Sequence, residues 1–182
     1  MTAELDRAVA DGVDLTADTY PYPCGSTMPV CRFPGWFVEG GAQAIKRRLS
    51  DPKQRRHVIK FLEETHGTTL GHALWTYIGS NQNRNLEGMS WADAATARGT
   101  SVAEMMCDIL LEEDLECGLA VLPPKNVAIW QQIESDVMRL LERNDYMVGS
   151  DSIPIGSFPH PRAFWHVSAY PRAIATTTRL SD

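Results

Sequence analysis

The sequence predicts an α/β fold in which short buried strands alternate with amphipathic helices and carry polar residues at their carboxyl ends. Three stretches predict it. In "DGVDLTADTYPYP", Val13, Leu15 and Ala17 alternate with Asp14 and Thr16, the period of a strand, until Pro21 and Pro23 remove backbone donors and end it. "CGLAVLP" is a short, continuously apolar run, and "YMVGSD" is another that breaks into Gly149, Ser150 and Asp151. Helical patterns stand between them, so strands over about 14–19, 118–122 and 146–150 are expected to run parallel. Their polar ends, at residues 20–26, 123–125 and 150–152, would then share one face, as in a (β/α) barrel or open sheet.

Each element has a local reason. Leu5 and Val9, with Ala3, Ala8 and Ala10, suit a helix that Gly12 terminates. "CRFPGWFVEGG" reads as a covering loop, in which Trp36 and Phe37 either line a pocket or close a core. From Gly41 the pattern is helical, with Ile45 and Leu49 four apart. A second helix starts at Asp51 as cap and Pro52 in the first turn, carries a stripe of Val58, Ile59 and Leu62, and stops at Gly67. "TTLGHALWTYIG" suits one or two short strands. Ser90 with Asp93, and Ser101 with Glu104, are capping pairs that open two further helices. A long amphipathic helix follows, its apolar face set by Val127, Ile129, Trp130, Ile133, Val137, Leu140 and Leu141.

With 182 residues, 43% of them hydrophobic, the chain can build one core of ordinary size with a small satellite. A net charge of −6 argues against nucleic acid as a partner, and the run "KRRLSDPKQRR" reads as solvated helix surface. No apolar run reaches membrane-spanning length, and the N-terminal segment lacks the basic and apolar regions of a signal peptide. Cys24, Cys31, Cys107 and Cys117 form no Cys-x-x-Cys pair. A cytoplasmic protein without a membrane partner is expected.

Asp151, directly after an apolar strand and before the loop "SIPIGSFPHPR", can ligate a metal or act as general base; a turn-capping role is the structural alternative. Arg162 in "PHPR" offers a fork for an anionic substrate, or for a protein carboxylate. His57, His66 and His72 read as surface residues. Ser26 lacks the Gly-x-Ser-x-Gly elbow of a serine nucleophile.

Two of these stretches resemble a known family. "DTYPYPCGST" and "MVGSDSIPIGSFPHPR" look like the sixth-strand and eighth-strand motifs of the D-aminoacylases, the N-acyl-D-amino-acid deacylases of the amidohydrolase superfamily. "FVEGG", "RLSDP", "GMSWADAATARG" and "AEMMCDILLEE" fall between them in the family's order. The resemblance implies a zinc-dependent hydrolase acting on linear amides, with an N-acyl-D-amino acid as its small-molecule substrate. It makes Asp151 the metal-contacting and proton-carrying residue, and assigns Tyr20, Tyr22, Ser26, His160 and Arg162 to the substrate side.

It further implies a partial (β/α) barrel of amidohydrolase type: residues 1–51 and 117–182 as barrel segments, and 52–116 as an inserted small, mainly helical domain. The family's His-x-His pair, cysteine ligand and fifth-strand histidine have no counterpart here, and Tyr20 stands where some members offer a metal-binding histidine. Trp165 occupies a position where a glycine is expected. The expectation is therefore a C-terminal portion of the catalytic barrel that does not hold zinc tightly alone, completed by self-association or by the missing barrel half. The alternative is a non-catalytic fragment acting only as an assembly partner.

Overall fold

A computed structural model describes residues 2–163; Trp165 and the rest of the terminal stretch lie outside them. The elements run α1 (Thr2–Ala10), β1 (Ala17–Thr19), β2 (Ser26–Thr27), α2 (Gly35–Val38), α3 (Gly41–Ser50), α4 (Pro52–His66), β3 (Ala73–Ile78), α5 (Trp91–Arg98), α6 (Val102–Glu112), β4 (Cys117–Val121), α7 (Val127–Leu141) and β5 (Tyr146–Val148). The chain is α/β, and it divides into two compact units. Among the described residues the first holds 2–23, 123–152 and 161–163, and the second holds 24–122 and 153–160.

The first unit is built on a parallel pair, β1 with β5, in the register Ala17 to Tyr146, Asp18 to Met147 and Thr19 to Val148. Burial alternates from Leu15 to Thr19, as a half-covered strand requires, although Val13 is exposed and the ladder starts only at Ala17. Asn126 caps α7 by accepting from Ala128 N–H at 2.9 Å. Ile133, Val137 and Leu140 are half-buried, whereas Val127 and Ile129, expected on the same apolar face, are 69% and 51% exposed. Arg143, just beyond α7, bonds Asp6 at 2.7 Å and Asp145 at 2.6 Å, tying α1 to the turn before β5.

The second unit carries a three-stranded antiparallel sheet in the order β2–β4–β3, with helices against it. Here the expected parallel arrangement of all three apolar strands fails. β4, the 118–122 run, pairs antiparallel with both neighbours and takes no part in the β1–β5 pair. The reason is the number of helices between strands: α5 and α6 together carry the chain out and back, so it re-enters the sheet reversed. Phe37, Leu49, Val58, Leu62, Trp75, Trp91, Met105, Met106 and Leu119 close the core, and the Trp75 and Trp91 rings lie 4.8 Å apart. Phe37 thus closes a core while Trp36 stays 40% exposed. This core begins before Pro52, because Ala44, Ile45 and Leu49 of α3 are buried in the same unit.

The helix starts follow their local signals. Asp51 accepts from Lys53 and Gln54 N–H, Ser90 from Asp93 N–H, and Ser101 with Glu104 completes a reciprocal capping box. A polar cluster lies against the end of α6. Buried Glu113 accepts from Ser80 N–H at 2.6 Å, Ser80 Oγ at 2.8 Å and Asn83 Nδ2 at 2.6 Å. Arg98 bonds Asn83 Oδ1 at 2.8 Å and both carboxylate oxygens of Glu112.

Residues 153–160 strap onto the same unit. Gly156, at φ +83°, packs its Cα against the Thr76–Tyr77 backbone, where a Cβ would meet Thr76 O and come within 2.8 Å of Tyr77 Cα. Ser157 N–H donates to Glu87 Oε2 at 3.1 Å, and Ile78 N–H to its Oε1 at 2.9 Å. Burial opposes the Glu87 charge, yet the hydrogen bonds from Ser157 and Ile78 hold its carboxyl below the ordinary value.

Candidate functional site

Parallel pairing of β1 and β5 brings their carboxyl ends out side by side, so Tyr20 and the Gly149–Asp151 segment emerge at one edge of the first unit. Gly149 N–H donates to Thr19 O at 2.9 Å. The approach is close: a Cβ at 149 would meet the exposed Asp18 carboxylate, which would have to swing aside. The chain then turns sharply: Asp151 adopts φ +43°, a left-handed conformation that aspartate tolerates better than most residues.

Asp151 Oδ2 accepts from Arg162 Nη1 at 3.0 Å. The two partners differ in environment, with 2% of the Arg162 side chain exposed against 74% of the Asp151 side chain. The guanidinium carbon stands 5.1 Å from the centroid of the Tyr20 ring, and the Tyr20 and Tyr22 rings are 5.0 Å apart, tilted by 58°. A buried cation is thus held between an aromatic face and a solvent-facing carboxylate.

The structure brings Tyr20, Tyr22, Asp151 and Arg162 together. Ser26 and His160 are engaged in the second unit, Ser26 Oγ donating to Leu119 O at 2.8 Å and His160 lying against Cys24. Within the first unit, Pro21 and Pro23 also line, with Ile133, Glu134, Val137 and Met138 of α7, a cavity of about 230 Å³. Nothing local in the sequence points to this cavity, because its two walls are more than a hundred residues apart. No three His, Cys, Asp or Glu side chains among the described residues stand together as a metal site would require.

No family model matches the chain. Over 160 residues, 88% of its length, it is 26% identical to the N-acyl-D-glutamate deacylase of Alcaligenes xylosoxydans xylosoxydans. By sequence it is thus similar to the N-acyl-D-amino-acid deacylases. The crystal structure of N-acyl-D-glutamate deacylase from Bordetella bronchiseptica, complexed with zinc and a phosphonate inhibitor that mimics the tetrahedral intermediate of its reaction, matches with a TM-score of 0.52 at 23% identity, over 88% of this chain. That likeness is one of α/β fold. The chain spans 23% and 24% of the lengths of these two deacylases.

Proposed function

We propose that this chain is part of a metal-dependent amidohydrolase that hydrolyses the amide bond of N-acyl-D-amino acids, and that Arg162 receives the substrate carboxylate. The observation that carries the proposal is the setting of the Arg162 guanidinium, buried under the Tyr20 ring with one edge on Asp151. An N-acylated amino acid has lost its amine charge and keeps its carboxylate, the group that a planar arginine fork binds in bidentate fashion. Asp151 is mostly exposed, so solvent screens its pairing with Arg162, and an incoming carboxylate can take its place at Nη1. Released from that contact, Asp151 stands beside the bound substrate as a general base toward attacking water and a general acid toward the departing amine.

Zinc belongs to the Bordetella enzyme's structure. A catalytic zinc usually takes three protein ligands and a water. The described residues here do not fit such a site, since Asp151 faces a guanidinium and no triad surrounds it. Asp151 therefore enters the proposal as one metal ligand at most.

The architecture we propose is a pair of barrel strands, β1 and β5, interrupted by an inserted domain. Its support is that residues 24–122 are contiguous and pack around their own core. Residues 52–116, the expected insert, lie within that unit. A cytoplasmic setting accords with four cysteines outside any disulfide among the described residues, and no helix among those residues is long and apolar enough to cross a membrane. The second reading, an assembly partner without its own catalysis, is favoured by β1 and β5 having only each other as sheet neighbours among the described residues, which offers strand edges to a missing barrel half or a second copy.

The test is titration of the zinc-supplemented chain with N-acetyl-D-glutamate, with hydrolysis followed in parallel. Arg162→Met is expected to weaken binding at least about tenfold, equivalent to ~1.4 kcal/mol, and Asp151→Ala to abolish any turnover while leaving binding. Binding without turnover in the parent favours the assembly reading. Binding that is absent, or unchanged in Arg162→Met, rules out the carboxylate assignment.

A further inference from the structure

Cys24 and His160 are 136 residues apart in sequence and meet in the second unit, with Sγ 3.4 Å from Nε2. Both backbones are anchored. Gly25 O, next to Cys24, accepts from Val121 N–H at 2.8 Å, which continues the β2–β4 ladder. His160 ends the strap that Gly156 and Ser157 fix to Thr76 and Glu87. The imidazole is 4% exposed, whereas Cys24 is half-buried, so the sulfur is the member of the pair open to a small reagent.

Burial pushes the Cys24 thiol up from its ordinary value, which keeps it protonated and a poor nucleophile unaided. A neighbouring base in contact removes that handicap. With its proton on Nδ1, His160 presents the Nε2 lone pair to the S–H, the arrangement of a nucleophile and its general base. Neither role is needed for binding a carboxylate at Arg162.

We infer that Cys24 and His160 form a nucleophilic thiol site that takes soft carbon electrophiles of the α,β-unsaturated carbonyl class. Sγ attacks the β-carbon and a C–S bond forms as the C=C π bond opens to an enolate. The thiol proton passes to His160 Nε2 and is returned to the α-carbon. The addition is redox-neutral and releases no leaving group.

N-ethylmaleimide serves as the probe, with the rate at each cysteine read by peptide mass spectrometry on the full chain. Cys31 is exposed and acts as an internal reference, while Cys107 and Cys117 are fully buried, their thiols pushed up to about 12, and report on folding. Cys24 is expected to react at least about tenfold faster than the more exposed Cys31, since general-base assistance of typically about a hundredfold or more outweighs its lower exposure. His160→Gln is expected to remove that advantage without changing Cys31. A Cys24 rate at or below that of Cys31 in the parent overturns the inference, as does an advantage that survives His160→Gln while Cys107 and Cys117 stay protected. Where His160→Gln exposes those two thiols, the parent's rates in deuterium oxide decide. Slowing at Cys24 that Cys31 lacks supports proton transfer to His160, and equal slowing overturns it.

Discussion

Trp91→Ala is expected to destabilise the second unit by ~3–5 kcal/mol, the range for deleting a large buried aromatic. Trp91 is fully buried and opens α5, with its ring 4.8 Å from that of equally buried Trp75. Truncation removes the largest apolar side chain on that helix and also an aromatic contact, and the sheet strand beneath cannot follow it inward because β3 is held in the ladder with β4. Urea unfolding followed by far-UV circular dichroism gives the number. A loss below ~1 kcal/mol would mean that α5 collapses onto β3 and fills the space, contrary to the close packing described.

Glu113→Ala is expected to cost ~2–4 kcal/mol, because the carboxylate is a buried acceptor shared by three donors whose other options are few. Ser80 N–H, Ser80 Oγ and Asn83 Nδ2 all point at it, and Asn83 is itself buried. Asn83 retains Glu112 and Arg98, so the loop is loosened on the Ser80 side first. Glu113→Gln keeps an acceptor oxygen and is expected to lose less than half as much. Equal losses in the two variants would show that 113 must supply a carboxylate accepting through both oxygens, and that neither side-chain volume nor a single acceptor oxygen suffices.

Elements governed by neighbours in sequence were legible. The starts of α4, α5 and α6 at Asp51, Ser90 and Ser101 are local hydrogen bonds, written in four consecutive residues, and the structure makes all of them. The motif resemblance placed the chain beside the deacylases, as the comparisons show. Strand direction was not legible, since "CGLAVLP" reads identically in a parallel or an antiparallel sheet and the deciding fact is the helix pair α5–α6 before it. At the candidate site, residue types were visible at Tyr20, Tyr22, Asp151 and Arg162, but the contact of Arg162 with the Tyr20 ring needs the parallel pairing of strands that lie far apart in the chain. The Cys24–His160 pair has no local signature at all.

The position of residues 24–122, a compact unit lying in the chain between β1 and β5, bears on the order in which the molecule assembles. The β1–β5 ladder joins segments about 130 residues apart in the chain, and closing so long a flexible loop for three residues of pairing on each side costs ~4 kcal/mol in chain entropy. The intervening unit shortens that loop when it forms, because Ser26 pairs with Ala120 and the two ends of the insert become neighbours. The expected pathway is therefore sequential, with the insert as template. In pulsed hydrogen exchange during refolding, the amides of Trp75 and Val121 are expected to gain protection before those of Ala17 and Gly149, and simultaneous protection would show that the parallel pair forms without help. A lesion confined to the insert's core, far along the chain from Asp151, would then act as a delay in maturation of the Tyr20–Arg162 cluster as well as a loss of stability.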